Sequence, residues 1–348
     1  GDTGKAALDG FADVEGTKIM VYYPVDGVST IQKLQMVTQR GSNVQVCAIR
    51  GNFDDAQSAV KKIFTDKDSI CKLDEQGMTL SSANSINWGR LAPQIAYYVS
   101  AYCDMLNRGD IQMGDAINVC VPTGNFGNIL AAYFAKQMGV PIAKLICASN
   151  ENNVLTDFFR SGGTYDRNRP FHTTISPSMD ILISSNLERL LFLVSGYNDA
   201  MVADLMKQLN ETGKYSVETI GSQFEGGFCD DAQTKQTIAQ LFDEKKYLAD
   251  THTAVAVKVY EDYRARTGDT TPTVIASTAS PFKFCQSVIS ALGGTVSGDG
   301  TELLDQLHDM TGAPIPAPLA ALSGLKPRFD LVIDRENILN TVDLLGQI

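Results

Sequence analysis

Four short segments combine residue types and spacings suited to holding an anion. In Ile117-Asn118-Val119-Cys120-Val121-Pro122-Thr123-Gly124-Asn125-Phe126-Gly127-Asn128, an apolar β-branched run enters a turn with two glycines. That turn opens a helical run which stops at Gly139-Val140-Pro141. Gly124 and Gly127 let the backbone approach a ligand closely, and the unpaired N–H groups of a helix start attract a phosphate. There is no P-loop lysine and no G-x-G-x-x-G, which disfavours ATP and NAD. The same residues also suit a tight βα turn whose glycines serve only packing.

The second segment, Ser81-Ser82-Ala83-Asn84-Ser85-Ile86-Asn87-Trp88-Gly89-Arg90, sets small hydrogen-bonding side chains and one arginine where a helix begins. Its Asn and Ser residues are natural caps, and Arg90 can take an anion bidentately from the first turn; a solvated Arg beside an over-determined cap is the plainer alternative. The third, Ala276-Ser277-Thr278-Ala279-Ser280-Pro281-Phe282-Lys283-Phe284, leads from a strand end into a helix. Ser280-Pro281 suits N-cap and N1, whereas Thr278 falls at the carboxyl edge where α/β sheets bind ligands. In the fourth, Asp250-Thr251-His252-Thr253, a lone histidine at a helix start is more simply a structural partner than a titrating group.

The elements around these segments alternate. Apolar β-branched runs at 17–23, 44–49, 117–121, 143–147 and 273–277 are separated by helical spacing over 3–11, 30–40, 54–64, 89–106 and 126–138. Later helical runs cover 253–266 and 281–292. Strands alternating with helices of ten or more residues imply βαβ units, hence an α/β fold with mainly parallel sheets covered on both faces. Residues 150–250 read as mostly helical, with loops near Gly162-Gly163 and Gly226-Gly227. The pattern breaks at Arg108-Gly109-Asp110, dividing a smaller α/β domain, 1–108, from a larger one, 109–348, with a helical insertion at about 150–250.

Composition narrows the class of function. With 348 residues, 44% hydrophobic and 20% charged, the chain can bury two cores. Lys and Arg number 29 against 40 Asp and Glu, a net charge of −11 without a basic cluster, so neither nucleic acid nor an anionic membrane is an expected partner. The seven cysteines are scattered with no C-x-x-C, and the histidines, His172, His252 and His308, lie far apart. That pattern suits a reducing cytoplasm and gives no metal site. No run approaches the length of a membrane span, and no signal peptide is evident. A helical pattern follows directly on Gly1, as if the chain were cut from something longer.

In this order, the four segments resemble the threonine synthases, pyridoxal-phosphate enzymes with the fold of the tryptophan synthase β subunit (fold type II), and most closely their longer bacterial and fungal form. The resemblance covers nearly the whole chain. Gly1-Asp2-Thr3-Gly4 is similar to the end of the family's S-G-D-T-G loop, Gly51-Asn52-Phe53-Asp54-Asp55 to its G-x-F-D-D turn, and Asn84-Ser85-Ile86-Asn87 to its N-S-I-N segment. The most specific match is Pro122-Thr123-Gly124-Asn125-Phe126-Gly127, similar to the P-[ST]-G-N-F-G run that holds the cofactor phosphate.

The resemblance implies two αβα domains, pyridoxal 5'-phosphate as cofactor, and conversion of O-phospho-L-homoserine and water to L-threonine and phosphate. It further implies that Gly124, Asn125, Phe126, Gly127 and Asn128 bind the cofactor phosphate. Thr278 would hydrogen-bond the pyridine nitrogen, Asp2 would face the cofactor, and Thr3, Asn84, Ser85 and Arg90 would hold the carboxylate and phosphate of the substrate. Ser280 and Thr251 depart from the family, which has His in T-A-H-P and Pro in D-P-H-T-A-V.

In this family the lysine that forms the Schiff base lies ahead of S-G-D-T-G, and Lys5 does not match it. A chain of residues 1–348 is therefore expected to be inactive by itself, to expose strand edges, and to self-associate or pair with a missing N-terminal segment. Two other functions fit the same residues: a related phospho-lyase giving a keto product, and a non-catalytic module binding a phosphate or cofactor.

Overall fold

A computed structural model describes residues 2–25, 27–218 and 220–348; Gly1, part of the S-G-D-T-G resemblance, lies outside the described residues, as do Asp26, Thr219 and the side chain of Asp54. The strands are β1 (Ile19–Pro24), β2 (Val44–Arg50), β3 (Ile117–Pro122), β4 (Ile142–Ser149), β5 (Thr164–Asp166), β6 (Lys214–Ser216), β7 (Phe224–Phe228), β8 (Thr273–Ile275) and β9 (Val332–Asp334). The helices up to residue 267 are α1 (Asp2–Phe11), α2 (Thr30–Val37), α3 (Phe53–Thr65), α4 (Lys67–Glu75), α5 (Trp88–Arg108), α6 (Gly127–Gln137), α7 (Val154–Arg160), α8 (Leu187–Val194), α9 (Asp199–Thr212), α10 (Asp231–Lys245) and α11 (Thr251–Thr267).

The chain forms two units. One comprises Gly1–Ala83, Phe282–Ile289 and Thr295–Ile348; the other is Asn84–Pro281 with Ser290–Gly294. The division falls ahead of α5, whereas the sequence pattern breaks after it. Two physical reasons account for this: α5 packs along α6, and β9 adds a parallel strand to β2 through the register Ala48↔Val332. The weak apolar run Val332-Ile333, too short to signal a strand by itself, brings the C-terminal stretch back to the first unit.

In the first unit, β1, β2 and β9 form a parallel sheet in that order. Its core includes Leu8, Val21, Met36, Val44 and Val46, placing α1 and α2 against the sheet. Capping boxes at Ser29 and Asn52 start α2 and α3 where the sequence changes from turn residues to helical spacing.

In the second unit a four-stranded parallel sheet runs β7-β4-β3-β8. Every residue of β3 is buried, as a central strand covered on both faces requires. Its alternate side chains serve two cores. Val119 and Val121 pack with Ile129, Leu130 and Leu91 from α6 and α5, while Cys120 packs with Ile146, Val255 and Val259 on the side of α11. The layers are thus helix, sheet, helix, the expected α/β class.

Gly226 and Gly227 stand inside β7 rather than in a loop. A Cβ on Gly226 would lie 2.9 Å from the Thr156 backbone of α7, and one on Gly227 would lie 2.5 Å from Val259 of α11. Helices crowd the strand from both sides, so the residues that read as loop punctuation serve close packing. The region expected to be helical also holds the antiparallel pair β5 and β6.

At the amino edge of the sheet, Asp269 accepts from Tyr263 of α11 at 2.6 Å and from Asn118 of β3 at 2.9 Å. Hydrogen bonds from the Thr271 side chain, from Tyr263 and from the Thr271 N–H hold the Asp269 carboxyl below the usual carboxylate range. A lowered folded-state pKa contributes stability above the unfolded value, near 4, and loses it as pH falls towards the folded value. D269N therefore lowers the melting temperature at pH 7, and its deficit relative to wild type shrinks as pH drops below about 4. A deficit that stays constant across that range contradicts the assignment.

Among the described residues, no helix is long and apolar enough to cross a membrane, and no group of three or more His, Cys, Asp or Glu could hold a metal ion. Cys47, Cys120, Cys147, Cys229 and Cys285 are buried, and burial pushes their thiols up.

Candidate active site

The turn after β3 is built to present backbone N–H groups. Thr123 N–H extends the ladder to Ala148 O at 2.8 Å, and the Thr123 hydroxyl turns back to Val121 O at 2.7 Å. Phe126 then adopts a left-handed conformation, φ 63°, and precedes α6 without any side-chain cap. A buried phenylalanine at positive φ is strained, and its ring is anchored 6.0 Å from the rings of both Phe159 and Phe224.

The carbonyls of the same turn are tied back by a neighbouring polar segment. The Ser184 hydroxyl donates to Gly124 O at 2.8 Å. Asn186 donates to Asn125 O twice, through its backbone at 3.0 Å and its side chain at 2.9 Å. With those oxygens occupied, the N–H groups of Gly124 to Asn128 have no acceptor among the described residues. A helix start carrying about half a positive charge is left with donors that have no internal partner among the described residues, which suits an anion.

Gly124 is required by contact. A Cβ there would meet Ser178 O at 2.6 Å and Met179 Cα at 3.2 Å. Tyr98 of α5 donates its hydroxyl to Asn128 Oδ1, fixing the first turn of α6.

Asn84 and Ser85 belong to this unit too. Asn87 caps α5 through Gly89 N–H at 2.8 Å, and Asn84 and Ser85 form the turn just before it. The Ser85 hydroxyl donates to Asn84 Oδ1 at 3.1 Å. Ser85 O accepts from the Asn186 side chain at 3.2 Å, so one buried amide joins the Asn84–Ser85 turn to the Gly124–Asn128 turn. Arg90 lies half-buried in the first turn of α5, and burial lowers its pKa.

Thr278 is exposed on the chain that follows β8, and β8 runs parallel to β3 through Cys120↔Ile275. It therefore leaves the sheet at the same carboxyl edge as the Thr123–Asn128 turn. In the first unit, Asp2 opens α1 and accepts from Lys283 Nζ at 2.9 Å and Gln32 Nε2 at 3.0 Å, while Thr3 is exposed beside it. Asp2 was expected in a loop; it instead forms the first turn of a helix with a lysine and a glutamine on its carboxylate.

Sequence spacing missed the scaffold beneath these residues. Asp180 is buried and accepts from Asn150 Nδ2 at 2.7 Å, Asn152 Nδ2 at 3.0 Å, Thr174 N–H at 2.9 Å and the Thr174 hydroxyl at 2.8 Å. Burial raises its pKa against those hydrogen bonds. This network fixes the segment that supplies Ser184 and Asn186. The only signal for it in the sequence is the density of Ser, Thr, Asn and Asp over 173–186 around Pro177.

The family described as "Threonine synthase, C-terminal" matches residues 253–340. "Threonine synthase-like 1" of Homo sapiens is 43% identical over 303 residues, 84% of this chain and 40% of that protein. Threonine synthase of Saccharomyces cerevisiae is 35% identical over 364 residues, 99% of this chain and 67% of that protein. The crystal structure of "PLP bound Threonine synthase from Brucella melitensis" superposes with a TM-score of 0.80 at 36% identity, covering all of this chain and 69% of that one. This chain thus spans about two-fifths of the length of its human relative and two-thirds of the yeast one. The extent of the yeast and Brucella matches, at those identities, places the chain in the threonine synthase family.

Proposed function

We propose that the protein is a pyridoxal-phosphate-dependent threonine synthase that converts O-phospho-L-homoserine and water into L-threonine and phosphate. One observation carries the proposal: the uncapped start of α6, whose carbonyls are tied back and whose Gly124 admits no Cβ. A phosphate ester fits that cradle by charge and by donor count. Gly124, Asn125, Phe126, Gly127 and Asn128 would hold the phosphate of the cofactor, Thr278 would give its pyridine nitrogen a neutral partner, and Asp2 would face it. When bound, pyridoxal phosphate supplies an electron sink for negative charge developing at two successive substrate carbons.

The chain's own side chains do the rest. Asn84, Ser85 and Thr3 donate to the carboxylate and phosphate of the substrate, and Arg90 takes one of these anions in a bidentate grip. Lys5 is hydrogen-bonded to Asp9 at 2.7 Å and to Gln39, and it does not match the family's Schiff-base lysine. The enzyme works in the cytoplasm, where its scattered thiols stay reduced.

The test is an assay of the full-length protein with O-phospho-L-homoserine, counting phosphate and threonine together. Equal amounts are expected. Phosphate with a keto acid would make the protein a phospho-lyase, and neither product would leave a binding module. In the same assay R90A raises KM at least tenfold, on the order of a lost charge-assisted bidentate pair, and R90K recovers little because an ammonium cannot make the fork. Native KM in R90A would remove Arg90 from the substrate site.

A further inference from the structure

We infer that His252 is a positioning residue for the phosphate cradle, acting through the backbone of Ser178; this deepens the reading in which Gly124 to Asn128 hold a phosphate. Asp250 caps α11, accepting from His252 N–H at 2.9 Å, and the His252 ring places Nδ1 3.0 Å from Asp250 Oδ1. On its other side Nε2 accepts from Ser178 N–H at 3.2 Å. A ring nitrogen that accepts from an amide carries no proton. The partners therefore assign a neutral imidazole, protonated on Nδ1 and donating to Asp250.

Ser178 passes that constraint on. Its carbonyl oxygen occupies the space that a Cβ on Gly124 would enter, at 2.6 Å. Its neighbour Met179 is buried with Val255 and Ala256 of α11. The short 3-10 turn Pro177–Met179 is thus a wedge, fixed to α11 on one side by His252 and Met179 and set against the cradle glycine on the other. His252 is 3% exposed, so its role is exerted through Ser178 and not on a substrate. The threonines beside it cannot replace it, since a Thr hydroxyl at 251 or 253 is spent on the ring or on Asp250.

Two amide substitutions separate the ring nitrogens. In H252Q the longer amide sets an acceptor near the place of Nε2, whereas in H252N the shorter amide reaches only the place of Nδ1 and leaves Ser178 N–H without its acceptor. Full-length wild type and both variants, stripped of cofactor, are titrated with pyridoxal phosphate by absorbance and with inorganic phosphate by competition, and their melting temperatures are recorded. H252Q should bind both probes within about threefold of wild type, and H252N about tenfold more weakly, as one stranded buried N–H implies.

Equal affinities in the two amide variants, or a loss in H252N that merely follows its melting temperature, overturns the proposal. A measurement on the wild type needs no variant: nitrogen chemical shifts at neutral pH should show His252 protonated on Nδ1, and a proton on Nε2 overturns it. Wild type that binds neither probe overturns the phosphate reading and this inference together. Binding of phosphate but not pyridoxal phosphate, with the difference between the amides intact, supports the inference while removing the cofactor.

Discussion

G124A should abolish retention of pyridoxal phosphate and destabilise the protein by about 1–3 kcal/mol, the range for forcing a methyl group into a filled site. The added Cβ would stand 2.6 Å from Ser178 O, closer than any carbon and oxygen settle, so one backbone must retreat. Ser178 cannot do so cheaply, because His252 and the buried Met179 hold its turn. The Gly124 turn must move instead, and with it the N–H groups proposed to hold a phosphate. Urea unfolding and cofactor content after dialysis report the two effects separately. A G124A protein that keeps stoichiometric cofactor would show that the turn is packed for structure alone.

D180A should have the larger effect on stability, about 3 kcal/mol or more, because four donors in a dry interior lose a shared acceptor at one stroke. D180N should not rescue it: an amide nitrogen presents protons to groups that already donate. Cofactor binding should fall along with stability, since Ser184 and Asn186, a few residues on, tie back the carbonyls of the cradle. Denaturant midpoints of the two variants check the first expectation and a pyridoxal-phosphate titration checks the second. A stable D180N would mean that the carboxylate is not the organiser.

The comparison between sequence and structure separates by range. Strands β3 and β4 and helices α5, α6 and α11 were legible because their burial imposes period and β-branching on consecutive residues. The turn from Thr123 to Asn128 was legible because its glycines, its strand and the start of its helix all fall within twelve residues. Gly226-Gly227 was misread because a glycine demanded by a neighbouring helix looks the same in one dimension as a glycine demanded by a turn. Strand β9 was missed because three residues pairing with β2, nearly 300 positions away, leave no local period. Asn186 and Asp180 were invisible for a related reason: a buried polar residue is explained only by the partners that satisfy it, and those come from other parts of the chain.

The Asn186 side chain has a thermodynamic consequence. By donating to both Ser85 O and Asn125 O, it ties the turn expected to grip the substrate to the turn expected to grip the cofactor. Ordering either turn then pays the conformational cost of ordering the other. The two ligands should bind with positive linkage in the absence of any contact between them, and by reciprocity the substrate should slow cofactor loss by the factor by which the cofactor strengthens substrate binding. Cutting that one amide should remove the linkage and, because the same amide ties back Asn125 O, weaken the cofactor turn as well.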